Sequence, residues 1–269
     1  MNHFETLIET LNHTPLGPIG AFIFGTIWGS FFNVCILRIP NEESLISRGS
    51  HCPNCDKNIP WYCNVPVLSY LWLLGKCKFC RAPISVQYPL VELGTGLLFL
   101  ALFLRFNASP AFLAYCIFTG ILIVVSVIDL YHRIIPDEFS LSGIVLGLLL
   151  TISLGLIPWW DSLLGVLIGG GAFLTVAVLY EKISGNEGLG GGDIKLLGML
   201  GAWLGVKSIL ALILISTTLG SIVGVGLMVW KGKDMKAAIP FGPFLAIAGL
   251  CYLFWQTTIN AWLFPPLNG

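Results

Sequence analysis

The chain has 269 residues, of which 56% are hydrophobic and only 10% charged, and its formal net charge is zero. A soluble domain carries about 25% charged residues, so a water-covered globular surface is excluded and lipid must be the main solvent. Neutrality also leaves no basis for a nucleic-acid partner held through phosphate contacts.

In chain order, the opening "MNHFETLIETLNHT" lacks a basic start, and the first apolar run begins only near Pro15. No cleavable signal peptide is expected. A helix needs about 20 apolar residues to cross roughly 30 Å of hydrocarbon. Residues 16–38, 88–105, 110–130, 137–157, 162–182, 206–230 and 239–263 qualify. The short, glycine-rich piece 193–204 is counted as one more crossing. The expected fold is therefore an all-α polytopic membrane protein with about eight transmembrane helices. With the N-terminus outside, 12 of the 14 Lys and Arg fall inside, and only Arg105 and Lys207 fall outside. That is the asymmetry of a cytoplasmic face. With seven crossings the "KGKDMK" cluster would lie on the wrong side. The expected organisation is an N-terminal segment with the first helix (1–38), a cytoplasmic loop (39–87) and a membrane core (88–269), without an internal repeat.

Within the loop, Cys52, Cys55, Cys77 and Cys80 form C-x2-C-x21-C-x2-C. Each pair can close a tight knuckle that points two thiolates at one cation, and two knuckles make the four-sulfur shell that zinc prefers. Disulfides are disfavoured in a reducing cytoplasm. Four sulfur ligands leave no open position, so the expected zinc is structural. Cys35, Cys63, Cys116 and Cys251 follow no pattern, and His51 is a lesser alternative ligand.

Acidic residues at the edge of spans suggest function. Asp129 ends "FTGILIVVSVIDLYHRIIPDEF", and Asp193 follows the glycines of "GLGGGDIKLLG". The 64 residues between them allow one passage out and one return, so both carboxylates are expected at the same cytoplasmic boundary. Taken singly, Asp193 reads as a helix cap and Asp129 as an interfacial anchor. A helix C-terminus is, however, a poor place for a carboxylate. Asp137 reads as a helix-start residue and Asp161 as a surface cap. Two carboxylates a few Å apart share a proton. The ionised one can then activate water while the protonated one polarises a peptide carbonyl. Glycines before Asp193 would admit an extended backbone and tolerate positive φ.

Three motifs, in this order, carry a family resemblance: "CPNC…CKFC" followed by "PISVQYPLVELGTG", then "IDLYHRIIPD", then "GGGDIK" from Gly190. From about Gly20 to Phe244 the chain resembles bacterial type IV prepilin peptidases, which are bifunctional leader peptidases and N-methyltransferases. The resemblance implies a membrane aspartic peptidase in the bacterial inner membrane. Its partners would be prepilins, pseudopilins and the lipid bilayer. It would cut a short basic leader on the cytoplasmic side, then methylate the new N-terminal residue, typically Phe, with S-adenosylmethionine. Carried over, Asp129 and Asp193 are the catalytic pair, Gly190, Gly192 and Lys195 support them, and the four paired cysteines bind zinc. No soluble dinucleotide-type fingerprint follows a strand. Glu92, in "YPLVELGTG", is the candidate for the methyl-donor site. Two alternatives are a cleavage-only G-x-G-D peptidase, which would lack the cysteine loop, and a proton-coupled transporter with a zinc-ribbon loop. A transporter would hold its carboxylates near the midplane.

Overall fold

The computed structural model describes residues 3–45, 49–185, 190–231 and 239–265. Arg48, Gly188 and the lysines of the "KGKDMK" cluster after Lys231 lie outside them. The described residues are helical, with no strand and two isolated β-bridges. The chain divides into two compact units, residues 1–124 and 125–269.

The first unit holds α1 (His3–His13), α2 (Leu16–Arg38), α3 (Leu68–Trp72), α4 (Gln87–Phe106) and the larger part of α5 (Pro110–His132). One side of α2 exposes Leu16, Ile19, Ile23 and Ile27, an apolar stripe suited to lipid. The opposite side packs on α4 with bare glycine backbone. A Cβ at Gly25 would lie 2.8 Å from the Cα of Gly96, and one at Gly29 would lie 2.7 Å from the Cα of Glu92. Small residues four apart let two helices touch where no hydrophobic effect drives them together.

The second unit holds the end of α5, then α6 (Asp137–Ser153), α7 (Trp159–Val166), a π-helical segment (Leu167–Ala172) and α8 (Phe173–Ser184). It continues with α9 (Gly191–Leu204), α10 (Val206–Lys231) and α11 (Gly242–Leu263). At its centre is α9, buried at every position from Ile194 to Leu204 except Lys195. Glycine makes this possible as well. Gly165 of α7 meets the backbone of Gly201, and a Cβ at Gly169 would lie 2.7 Å from the Leu197 carbonyl oxygen. Polar groups inside are satisfied: Trp203 Nε1 donates to the Gly143 carbonyl at 2.9 Å, and Ser162 Oγ to the Ala202 carbonyl at 2.6 Å. The helix stops at Gly205, whose φ of +81° a side chain would resist. Asp161 accepts the Val206 N–H at 2.9 Å. It is a cap, as expected, but for the start of α10 rather than for its own helix.

Among the described residues, eight helical stretches stand where the apolar runs predict them. Six have the length and composition of membrane spans. The other two, α6 with 17 residues and α9 with 14, are shorter than the roughly 20 residues of a full crossing.

Candidate active site and metal centre

Asp129 sits three residues before the end of α5 and is 5% exposed. A carboxylate there faces the negative end of its own helix dipole. The fold answers with a second helix: the Gly242 N–H, first of α11, donates to Asp129 Oδ2 at 2.8 Å. This N–H is one of the donors that a helix start leaves without an internal partner, and the positive end of α11 favours the anion. A Cβ at Gly242 would lie 2.8 Å from the same oxygen, so no side chain fits between.

Asp193 is the third residue of α9, whose N-cap is Gly190. A Cβ at Gly190 would stand 3.0 Å from Asp193 Oδ2. At Gly192 the Cβ would meet the Ile135 side chain at 2.8 Å, while at Gly191 it would meet nothing within 4 Å. None of these three glycines has a positive φ: Gly190 is extended at φ −62°, ψ 128°, and the other two are helical. Their tolerance of positive φ is not used at these three positions. The room at Gly192 is filled by Ile135 and that at Gly190 by the aspartate itself, while Gly191 stays open.

Both carboxylates lie near the start of α11. Asp193 borders a cavity of about 200 Å³ that Phe241 also lines, and Phe241 immediately precedes the Gly242 that holds Asp129. Asp193 lies within the electrostatic field of Asp129. A second link joins the two motifs, because Lys195 Nζ reaches both Asp137 oxygens, at 2.6 and 2.8 Å. Asp137 stands in the first turn of α6, without a side-chain cap. Asp137 opens its helix, as expected, and its carboxylate also holds this ion pair.

In the first unit the four paired cysteines converge, with all four sulfurs within 4.8 Å of one another. Cys52 and Cys80 Sγ are 3.8 Å apart, the edge of a tetrahedron with bonds of about 2.3 Å. The two knuckles are alike. Cys52 N–H bonds the Lys57 carbonyl as Cys77 N–H bonds that of Ala82. Asp56 and Arg81, one residue past each pair, both take positive φ, at 57° and 61°. His51 packs toward Asp56 at 4.0 Å and is not in the sulfur cluster. The backbone N–H of Ala82, with the Asn54 amide, brings the Cys80 thiol down to about 6. Backbone N–H groups at Cys80 and Phe79 lower Cys77. At Cys55 the Lys57 N–H favours the thiolate, but desolvation and the Cys52 and Cys80 thiols outweigh it and lift the group to about 11. Part of the set is prepared to ionise and part is held back by desolvation and the neighbouring thiols, a conflict that a metal cation removes. The donor set fits a metal ion.

Glu92 is 7% exposed and accepts the Val67 N–H at 2.7 Å. Val67 has φ 61°, ψ −50°, and Leu68 N–H bonds Pro66 at 2.6 Å around it. This is a tight turn that a β-branched residue enters only under strain. Glu92 therefore fixes a strained turn.

Sequence reading missed Gly242. Its signal was the "FGP" that opens the last apolar run, a glycine whose N–H is free because it starts a helix, followed by the Pro favoured in a first turn.

Residues 23–106 match the family described as Bacterial Peptidase A24 N-terminal domain, and residues 116–225 match the Type IV leader peptidase family. Among curated proteins, the chain is 37% identical to a prepilin leader peptidase/N-methyltransferase of Xanthomonas campestris pv. campestris, over 90% of this chain and 93% of that protein. Proteins of the same description from Aeromonas hydrophila and Pseudomonas putida are 35% and 36% identical, over 90% of this chain and 92% and 91% of theirs. No solved structure matches the chain at a significant level.

Proposed function

The chain belongs to the type IV leader peptidase family, and on that premise we propose that it cleaves the leader from prepilins and pseudopilins and then N-methylates the new N-terminus. The observation that carries the reading is the buried Asp129, held by the start of α11 whose preceding residue, Phe241, lines the cavity of Asp193. The relatives' shared description names both activities, which answers the cleavage-only and transporter alternatives.

In the mechanism, Asp129 is the ionised partner, because one of its oxygens accepts a helix-start N–H. It takes a proton from the attacking water. Asp193, reaching into the apolar cavity, carries the shared proton and polarises the scissile carbonyl. Collapse of the tetrahedral intermediate passes a proton to the leaving amine, giving a leader carboxylate and a free N-terminus. Gly242, Gly190 and Gly192 keep the carboxylates in place, and Lys195 ties the two aspartate motifs together through Asp137. The pair titrates as a unit.

The cysteine cluster holds zinc, bound through Cys52, Cys55, Cys77 and Cys80, in a structural role, since four sulfurs leave no position for substrate. S-adenosylmethionine, when bound, supplies an electrophilic methyl group to the new amine. Glu92 supports this second step by fixing the turn at Val67. The division into 1–38, 39–87 and 88–269, the bacterial inner membrane and the cytoplasmic face of the site belong to the same proposal, on the 12-to-2 distribution of Lys and Arg. The test is purified protein with a prepilin and a labelled methyl donor. Shortened, labelled pilin is expected; an unchanged prepilin would overturn the reading.

A further inference from the structure

Helix α3, between the two cysteine knuckles, turns one side into its own loop. There Ser69 Oγ accepts the Val65 N–H at 2.9 Å and donates to the Tyr62 carbonyl at 3.2 Å. Leu68, Leu71 and Trp72 share another face by their i, i+3, i+4 spacing, and they are 64%, 62% and 89% exposed. Just beyond, Leu74 is 83% exposed although it takes a φ of +51°, a conformation that usually falls to Gly or Asn. Such a cluster of large apolar side chains is a poor surface for water.

The depth of α3 is fixed by the span beside it. Helix α4 has 20 residues, which at 1.5 Å per residue is about the 30 Å of the hydrocarbon layer. Glu92, the acceptor of the Val67 N–H, is its sixth residue and lies about 8 Å inside its start at that rise. Leu68 follows Val67 at once, so α3 begins at the level of the leaflet and not in bulk water. Val86, Leu90, Leu93 and Leu97 continue the apolar exposure as one stripe along α4, the lipid-facing side of the span. Charge agrees with this placement. Between residues 49 and 87, exposed Lys57, Lys76, Lys78 and Arg81 stand against a single acid, Asp56. The Lys76 N–H bonds the Leu73 carbonyl at 3.1 Å, next to the end of α3.

We propose that α3 is an interfacial anchor: Leu68, Leu71, Trp72 and Leu74 sit among the acyl chains of the leaflet that the loop faces, with Lys76, Lys78 and Arg81 against its anionic headgroups. An amphipathic segment holds a bilayer by an apolar face sunk about 5–10 Å into the headgroup boundary and by basic residues at the surface. Tryptophan is enriched at that level. The metal centre then lies on the membrane surface instead of projecting into solution. This inference needs α4 to be a span and does not rest on the peptidase reading.

The test uses the intact protein in nanodiscs of mixed phosphatidylglycerol and phosphatidylcholine. The chain has nine tryptophans, so the emission of wild type minus that of Trp72→Phe isolates the Trp72 signal. Bromine carried in the upper acyl chains should remove most of that signal, and acrylamide in the water should remove little of it. Leu71→Gln combined with Leu74→Gln should reverse the two, with metal content unchanged. In pure phosphatidylcholine the loss to bromine should be smaller. Strong loss to acrylamide with none to bromine in the wild-type difference would overturn the anchor, whatever the double variant does to folding. A signal that neither quencher reaches would overturn it as well, because protein, such as a second copy of the chain, would then cover the face. An equal loss to bromine with and without phosphatidylglycerol would overturn the role of the anionic headgroups.

Discussion

The cysteine centre and the aspartate pair were built in opposite ways. The four sulfurs come from one short loop, in two knuckles that repeat the same hydrogen bonds and the same left-handed residue. Each knuckle follows from its own few residues. The carboxylates come from α5 and α9, and the group that fixes Asp129 comes from a third helix start, 113 residues beyond it in sequence. A local template can be read from spacing. A distributed site is read only in part, because a backbone N–H carries no residue-type signature.

The sharpest way to break this comparison is to remove one carboxylate. Asp129→Asn and Asp193→Asn should each lower cleavage by at least about 100-fold, the lower range for a lost acid or base, with bound zinc unchanged. Loss of zinc in either variant, measured by elemental analysis, would mean that the two centres are not separately built. Next in size are the cysteines. Cys52→Ser or Cys80→Ser should take metal content from one ion per chain to none, whereas Cys116→Ser, a buried cysteine outside the cluster, should keep it.

Gly242→Ala sharpens the distributed half. The added methyl would fall 2.8 Å from Asp129 Oδ2, and a displaced catalytic group costs about 100-fold in rate. Turnover should drop on that order, while Gly191→Ala, where nothing lies within 4 Å, should stay near wild type. The smallest effect belongs to Asp137→Asn. Its partner Lys195 is 40% exposed, and exposed ion pairs contribute about 0–1 kcal/mol. Thermal stability and turnover should change only slightly.

Much of the architecture was legible because membrane spans announce themselves by length and charge. The eight helical stretches, the sulfur cluster and the unusual position of Asp129 all follow from composition and spacing. The glycines were legible as necessary, but not their packing partners. Gly192 serves Ile135, 57 residues before it, and Gly190 its neighbour's carboxylate; such packing depends on which helices meet. Asp137 does start a helix, as expected, but its ion pair was missed for the same cause, since Lys195 lies 58 residues away. Gly242 needed the fold itself, because only the arrival of α11 at Asp129 gives its N–H a purpose.

The central claim is that the aspartate pair performs the cleavage and a separate set of groups the methyl transfer. It is tested most directly by giving Asp193→Asn two substrates with labelled methyl donor: an intact prepilin and a pilin already shortened. The account predicts an uncut prepilin and a labelled pilin from the same sample. Wild-type cleavage of the prepilin by that variant would contradict it.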